Sequence, residues 1–281
     1  MENNFEKLLD RLIIVPIILL VISISILSYN YFTKGFFIKK DVELSGGLSI
    51  SIKIKENINP KEIERIIPGS SVRMSYGYGN NVLIVQTPTK NEKEVIEKLK
   101  EKIYFNESDV EIGTIDPVVG EIFWRQAKIA LTIAFILIGI VVFLAYRAIL
   151  PSIAMLLSTI SDVIITVAVL SILDVNLSLP IIAGLLMIIG YSVDTDVLLA
   201  TRMLKRSGEL SSRVLSAIKT GMTMNLTTMT ALLCMYIFSG GTAIRYISLT
   251  LLIGLSADII NTWITNTYLF RSWIKRRGGE Q

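Results

Sequence analysis

Four aspartates lie inside stretches of the chain that are otherwise almost entirely apolar. Asp162 lies in one stretch, Asp194 and Asp196 lie in the next, and Asp258 lies in the last. A carboxylate at the centre of a bilayer costs about 2.5–3.5 kcal/mol even on lenient insertion scales, so it normally faces a bundle interior, a water path or a partner. These positions predict a membrane protein that handles protons or ions, or that repacks when a carboxylate changes its protonation.

Polar residues near these aspartates recur at helical spacing, which places them on one face of each helix. The stripes are Ser158, Asp162 and Thr166 in the third stretch, Lys219, Thr223, Thr227 and Thr230 in the fifth, and Asp258, Asn261, Thr262 and Thr265 in the sixth. Lipid cannot satisfy such groups, so we expect the stripes to face each other. Hydroxyls that bond back to their own helix are the alternative.

Asp194 and Asp196 cannot share a helix face, because two residues turn an α-helix by about 200°. Counted back from Arg202, Asp194 lies about 12 Å deep and Asp196 about 9 Å deep. The deeper Asp194 is therefore predicted to be the buried, functional member of the pair. Lys219 is interpreted either as a buried cationic partner or as an anchor that snorkels to the interface.

Composition also indicates a membrane protein. Of the 281 residues, 52% are hydrophobic and only 19% are charged, whereas soluble domains carry about 25% charged residues. Six stretches approach the roughly 20 apolar residues that cross a bilayer. They are Leu12–Tyr31, Ile129–Tyr146, Leu150–Leu173, Ser178–Ala200, Gly221–Phe238 and Ile247–Phe270. The first exceeds a signal-peptide core, so we expect it to be retained.

Charge and rare residues restrict the function further. The net charge of +4 gathers beside the spans, which argues against nucleic-acid binding. In the short loops near residues 174–177 and 239–246, Arg245 is the only basic residue. The positive-inside rule therefore predicts that both termini are cytoplasmic. The single cysteine, Cys234, excludes an intrachain disulfide, and the absence of histidine leaves proton chemistry to carboxylates.

A polar insert, residues 34–126, separates the first span from the second and is predicted to lie outside the cytoplasm. Its predicted elements are a strand over Leu48–Ile54, a helix capped by Asn59, strands over Ser71–Tyr76 and Val82–Thr87, a helix near Asn91–Lys102 behind a capping box at Thr89, and a strand over Asp109–Thr114. This order, β-α-β-β-α-β, predicts a ferredoxin-like α+β domain.

The expected fold is thus a polytopic α-helical membrane protein with six transmembrane helices and an extracytoplasmic α+β domain between the first two. Its parts are residues 1–33, 34–126 and 127–281. The insert has no metal-ligand spacing, nucleophile elbow or phosphate loop, so we expect no enzyme activity, metal or cofactor. Contact with another protein is its predicted role.

The chain resembles the SecF family of protein-export membrane proteins over nearly its whole length. The resemblance rests on Ser161–Thr166, Ile189–Asp196, Thr227-Thr228, Ser239-Gly240-Gly241, Leu251–Gly254, Gly46-Gly47, and Pro117, Gly120, Gln126 and Ala127. Gly190, Tyr191 and Ser192 lie within the second of these motifs.

This resemblance implies an auxiliary subunit of the Sec translocase in the cell membrane. Its partners would be SecD, a SecYE-type translocon, exported polypeptides and membrane lipids. The family is similar to the RND superfamily, in which proton flow through the spans drives outer domains. The proton-relay candidates are Asp194, Asp162, Asp258, Asp196 and Lys219.

The chain departs from the family pattern at several positions. Many members have Asn-Asp where this chain has Asp194-Thr195, and Asp194 stands where SecD-like sequences carry their aspartate. The arginine that the family often has near the start of the fifth span is replaced by Lys219 as the nearest cation. Glu43-Leu44-Ser45 precedes the glycine pair where Asp-Phe-Thr is commoner.

Three alternatives remain at this point. The carboxylates could be structural, in a translocase subunit without its own proton path. The chain could be half of an RND-type small-molecule exporter, although an insert of about 90 residues is small for substrate capture. An intramembrane aspartyl protease is disfavoured, because Gly-Tyr-Ser-Val precedes Asp194 where those enzymes have Gly-x-Gly.

Overall fold

A computed structural model describes most of the chain. The described residues are 11–54, 58–76, 81–89, 91–205, 207–239 and 243–278, with only the backbone described at 73, 75–76, 107, 115 and 277–278. Residues 77–80, within the turn-rich segment Gly77–Asn81 that joins two predicted strands, and the Gly240-Gly241 pair lie outside these residues.

Helices dominate the structure, with one small sheet near the N-terminal end. In chain order the elements are α1 (Ile14–Lys34), α2 (Val42–Ser45), β1 (Gly47–Ile54), α3 (Pro60–Ile66), β2 (Ser71–Tyr76), β3 (Asn81–Thr87), α4 (Glu92–Lys100), β4 (Val110–Ile115), α5 (Pro117–Tyr146), α6 (Ile149–Ile172), α7 (Leu179–Lys205), α8 (Leu210–Phe238), α9 (Ala243–Ile260), a π-helical turn (Asn261–Asn266) and α10 (Thr267–Gly278).

Six of the described helices are long and apolar enough to cross a membrane, which agrees with the six predicted spans. They are α1, α5, α6, α7, α8 and the continuous run from α9 through the π-helical turn into α10. Helix α5 begins at Pro117, well before the predicted start at Ile129. Its early start has a local cause, because Asp116 caps the helix by accepting from the Val118 amide at 2.9 Å and proline suits the first position.

The insert folds around an antiparallel sheet with the strand order β2-β3-β1-β4. Strand β1 is central, and its Ile50 pairs with Val85 on one side and Ile112 on the other. Alternation along β1 buries one face completely, and α3 and α4 supply the other side of the core through Ile63 and Leu99. The predicted element order β-α-β-β-α-β is therefore present.

The two predicted helix caps differ in outcome. Asn59 accepts from the Lys61 amide at 3.2 Å ahead of Pro60, as the sequence predicts. The prediction of a capping box at Thr89 is wrong, because α4 begins at Glu92, its N-cap residue is Asn91, and no side chain caps it.

Residues 39–43, the junction segment, tie the insert to the membrane helices. The Asp41 amide donates to Leu177 O at 2.8 Å, and the Leu177 amide donates to Lys39 O at 2.7 Å. A carboxylate oxygen of Glu43 accepts from the Leu179 amide at 2.9 Å, at the first turn of α7, where a negative charge favours the helix dipole. The start of α7 is thus bonded to the chain that leads directly into β1.

Gly46 and Gly47 allow this junction to be compact. Gly46 has φ of 76°, and a Cβ there would overlap Pro117 at the start of α5. Gly47 has φ of 142°, and its Cβ would lie 2.5 Å from Thr87 O. Positive φ and close backbone contact both require glycine, so the packing of this junction accounts for the glycine pair.

Two ammonium groups lie against one indole beside the junction. Lys40 Nζ lies 4.3 Å from the Trp124 ring centroid, and Lys128 Nζ lies 5.5 Å from it. Partial burial and the Lys128 charge lower the pKa of Lys40, while Glu121 opposes this effect. The Lys40 contact holds the junction segment against α5, whereas Trp124 and Lys128 both belong to α5.

Helices α6, α7 and α9 form the centre of the bundle, whereas α1, α5 and α8 are more exposed. Close approach of α7 to α9 depends on small residues. A Cβ at Gly254 would overlap Ile188, and a Cβ at Gly184 would lie 2.9 Å from Thr250. Such contacts replace the hydrophobic effect as the source of helix association in lipid.

We expect Ile50→Ala to destabilise the insert by about 2–5 kcal/mol, because its side chain is fully buried at the centre of β1 and the cavity would not collapse. Hydrogen exchange of the β1 and β3 amides in the full chain measures the change. Lys53→Ala, on the exposed face of the same strand, is the control. Equal protection in both variants would contradict the assigned core.

Candidate functional site

Three of the four predicted aspartates converge inside the bundle. Asp162 on α6, Asp196 on α7 and Asp258 on α9 each have 0% exposed surface. We call these three residues the carboxylate cluster. Its position at the contacts among α6, α7 and α9 means that each carboxylate comes from a different central helix.

Asp162 is held by donors from two neighbouring elements. Ser192 Oγ on α7 donates to its Oδ2 at 2.7 Å, and Asn261 Nδ2 donates to its Oδ1 at 2.6 Å. Thr166 bonds back to the Asp162 carbonyl at 2.6 Å, as expected for a threonine in a span. The third-span stripe therefore faces inward, as predicted.

Asp196 uses only one of its two oxygens. Thr262 Oγ1 donates to Oδ1 at 2.7 Å, and Asn266 Nδ2 donates to the same atom at 2.6 Å. Its Oδ2 has no hydrogen-bond partner among the described residues although it is buried. A buried acceptor without a donor is costly when charged, so this oxygen is a place where a proton can reside.

Asp258 lies between α7, α8 and the π-helical turn. Thr195 Oγ1 lies 2.9 Å from its Oδ2 and 3.1 Å from its Oδ1. Thr262 Oγ1 lies 3.0 Å from Oδ1, and Asn225 Nδ2 lies 3.5 Å from Oδ2. Thr262 thus contacts both Asp196 and Asp258.

The π-helical turn brings its polar residues to the cluster. In an α-helix, residues five apart point about 140° away from each other, whereas a π-helix closes i→i+5 hydrogen bonds and brings them into line. Asn261 and Asn266 therefore both face inward and contact Asp162 and Asp196. Thr265 of the predicted stripe makes no hydrogen bond to the cluster among the described residues, although its Oγ1 is buried, and Asn266 contacts Asp196 instead.

No lysine or arginine of the described chain contacts the carboxylate cluster. Its donors are the neutral hydroxyls and amides of α7, α8 and the π-helical turn. No group of three or more metal-ligating side chains suited to hold a metal ion occurs among the described residues. Neutral donors stabilise carboxylates less than a cation would.

The expectation that Asp194 is the buried neighbour is wrong. Asp194 is exposed, while Asp196 is fully buried. The spacing shows that one of the two must point outward, but depth does not decide which one. Asp194 instead continues an exposed stripe on α7 with Met187, Gly190 and Tyr191, which we call the α7 stripe.

The fifth-span stripe is also placed differently from the prediction. Lys219, Thr223 and Thr227 are exposed on α8, and the two threonines bond back to their own helix. Lys219 therefore does not contact the carboxylate cluster. Asn225 is the α8 residue that does. It lies two residues from both Thr223 and Thr227, so it falls outside the periodic stripe and no pattern in the sequence indicates it.

The family-motif positions serve different parts of the structure. Gly46 and Gly47 lie at the junction, and Ser192 lies in the cluster. Gly190 and Tyr191 belong to the exposed α7 stripe, and a Cβ on Gly190 would meet no atom within 4 Å. Only Ser192 of the five touches a carboxylate.

A family profile and individual relatives agree on the family to which the sequence is similar. The profile described as Protein export membrane protein SecD/SecF, C-terminal, matches residues 95–276. The SecF protein-export membrane protein of Pyrococcus furiosus is 37% identical, over 96% of this chain and 93% of the relative. That of Methanolacinia petrolearia is 35% identical, over 98% and 97% respectively.

Solved structures share the fold. The crystal structure of SecDF, a translocon-associated membrane protein from Thermus thermophilus, matches with a TM-score of 0.75 and 20% identity. The match covers 97% of this chain but 38% of that longer one. A SecDF structure in a super-membrane-facing form gives a TM-score of 0.63 at 19% identity, over 97% of this chain and 39% of the other. On the strength of these sequence matches, the chain belongs to the SecF family of protein-export membrane proteins.

Proposed function

We propose that this protein is an auxiliary subunit of the Sec translocase, which works with SecD and uses the proton motive force to promote export. The supporting observation is the carboxylate cluster, in which three fully buried aspartates from three helices are held by neutral donors. Family membership supports the export role, because the relatives are protein-export membrane proteins.

Protonation would change the packing of the bundle through these hydrogen bonds. A neutral carboxyl donates one hydrogen bond, whereas an ionised carboxylate only accepts. A proton gained or lost by Asp196 would therefore reverse its contact with Thr262, which joins α7 to the π-helical turn. A reversible contact of this kind biases one helix arrangement over another, which is the requirement for a switch.

We assign residues 34–126 to the extracytoplasmic side and both termini to the cytoplasm. The distribution of basic residues around the spans supports this orientation. The sheet order β2-β3-β1-β4 supports a ferredoxin-like insert. There the insert would contact exported polypeptides and a SecYE-type translocon, while lipids surround the exposed faces of α1 and α5.

The α7 stripe is the surface that SecD would cover. An exposed carboxylate at this depth is costly against lipid, and Gly190 leaves room for close approach of another helix. Asp194 keeps its role as a relay candidate in this arrangement, because a SecD helix against the stripe would place the partner's polar groups opposite it. Asp196 and Asp258 supply the part of the path inside this chain.

We expect Asp258→Asn to abolish proton-dependent stimulation of secretion while the protein still inserts and copurifies with SecD. Asparagine retains the size and can accept from Thr195 and Thr262, but it cannot release a proton. Secretion by membrane vesicles with and without a proton gradient measures the effect. Asp174→Asn, at an exposed loop position with φ of 55° where asparagine is tolerated, is the control.

The same variant distinguishes a structural role. If the carboxylates only hold the complex together, Asp258→Asn loses SecD during purification, and the secretion defect follows the loss of the complex. Normal, gradient-dependent secretion by an intact complex that carries Asp258→Asn would refute the proton mechanism.

We expect Asp194→Leu to weaken copurification with SecD, because leucine removes the polar contact at the covered stripe while it suits lipid better. Thr132→Leu makes a similar polar-to-apolar change on the exposed face of α5 and should leave the complex intact. Quantified copurification of both variants measures the difference. Equal recovery of SecD would place the partner on another face.

A further inference from the structure

Thr262 occupies a singular position between two carboxylates. Its Oγ1 lies 2.7 Å from Asp196 Oδ1 and 3.0 Å from Asp258 Oδ1. In the described part of the chain, no other side chain hydrogen-bonds to both of these aspartates. The residue is fully buried.

The number of hydrogens restricts this arrangement. A threonine hydroxyl carries one hydrogen and can donate to one oxygen at a time. If it donates to Asp196, its lone pairs face Asp258 Oδ1, which is favourable only when that oxygen carries a proton. Asp258–H, Thr262 and Asp196 then form one directed chain of hydrogen bonds.

The reverse direction uses the same atoms. When Asp196 Oδ1 carries the proton, the hydroxyl accepts from Asp196 and donates to Asp258. The two directions differ only in which carboxyl is neutral, and neither requires a heavy atom to move far. Chains of this kind strengthen each hydrogen bond in a low-dielectric site.

We propose that Thr262 is the relay through which a proton passes between Asp258 and Asp196, a step that rests on the proposed proton-driven function. The Asp258 O–H bond breaks and that proton bonds to Thr262 Oγ1. The original Thr262 O–H bond breaks at the same time, and its proton bonds to Asp196 Oδ1. One proton has moved, the hydroxyl is restored, and no electron is transferred.

Neighbouring side chains hold the two carboxylates toward Thr262. Asn266 Nδ2 donates to the Asp196 oxygen that faces the hydroxyl, at 2.6 Å, and Thr195 holds Asp258 at 2.9 Å. The start of α10 also holds the backbone of Thr262, since Thr267 Oγ1 donates to the Thr262 carbonyl at 3.3 Å. The ionisable groups of the cluster are Asp162 from α6, Asp196 from α7 and Asp258 from α9.

The test measures proton flux through the complex of this chain with SecD in liposomes. An imposed potassium diffusion potential drives the flux, and an enclosed pH dye reports it. Thr262→Val keeps the side-chain volume but removes the hydroxyl, so we expect flux to fall on the order of a hundredfold, as for loss of a positioned proton-transfer group. Thr262→Ser restores the hydroxyl and should retain most of the flux.

Thr250→Val is the matched control on the same membrane-crossing helix. Thr250 is equally buried, but among the described residues its hydroxyl bonds to the Tyr246 carbonyl, at 2.7 Å, and to no carboxylate. We expect its flux to equal that of the unaltered complex. Copurification with SecD and the melting temperature show that each variant is folded.

The outcomes separate the relay from the function on which it rests. Full flux in Thr262→Val together with no flux in Asp258→Asn would overturn the relay alone. Loss of flux in both Thr262→Val and Thr262→Ser would also overturn it, because a hydroxyl at this position would then not be sufficient for the flux. An unaltered complex that conducts no protons would refute both proposals.

Discussion

The interior of this bundle holds three carboxylates in a low-dielectric site, and no cationic side chain of the described residues contacts them. Burial of an ion costs several kcal/mol unless hydrogen bonds replace the lost water. Here serine, threonine and asparagine side chains provide that replacement. Because hydroxyls carry one hydrogen each and face more than one acceptor, hydrogen is the scarce component. Under the proposed mechanism, an added or removed proton therefore changes which of these contacts can form.

Much of the architecture could be predicted from the sequence, because its signals are strong and local. Apolar stretches long enough to cross a bilayer define the spans. Alternation along residues 48–54 defines β1, and Asn59-Pro60 defines the start of α3. Periodicity also placed Asp162 and Asp258 inside the bundle. These features depend on one segment at a time, so neighbouring segments do not alter them.

The details of the site could not be predicted, since they depend on rotation and packing. Spacing separates Asp194 from Asp196 but does not reveal which side of α7 meets α9. Periodicity assumes a regular α-helix, so the π-helical turn exchanged Thr265 for Asn266. Lys219, Thr223 and Thr227 form a regular stripe that points outward. The two threonine hydroxyls bond to carbonyls of α8 itself, so they need no partner on another helix. Side-chain periodicity shows which residues share a helix face, but it does not show whether that face points into the bundle or toward lipid.

The junction segment has a mechanical consequence. Three hydrogen bonds attach residues 39–43 to Leu177 and Leu179, immediately before and at the first turn of α7. Four residues later the chain enters β1, which pairs with strands on both edges. An axial shift of α7 must therefore either break these hydrogen bonds or move the sheet together with the helix. The membrane helix that carries Asp196 is thus connected to the folded insert through a short segment, which leaves little length to absorb a displacement.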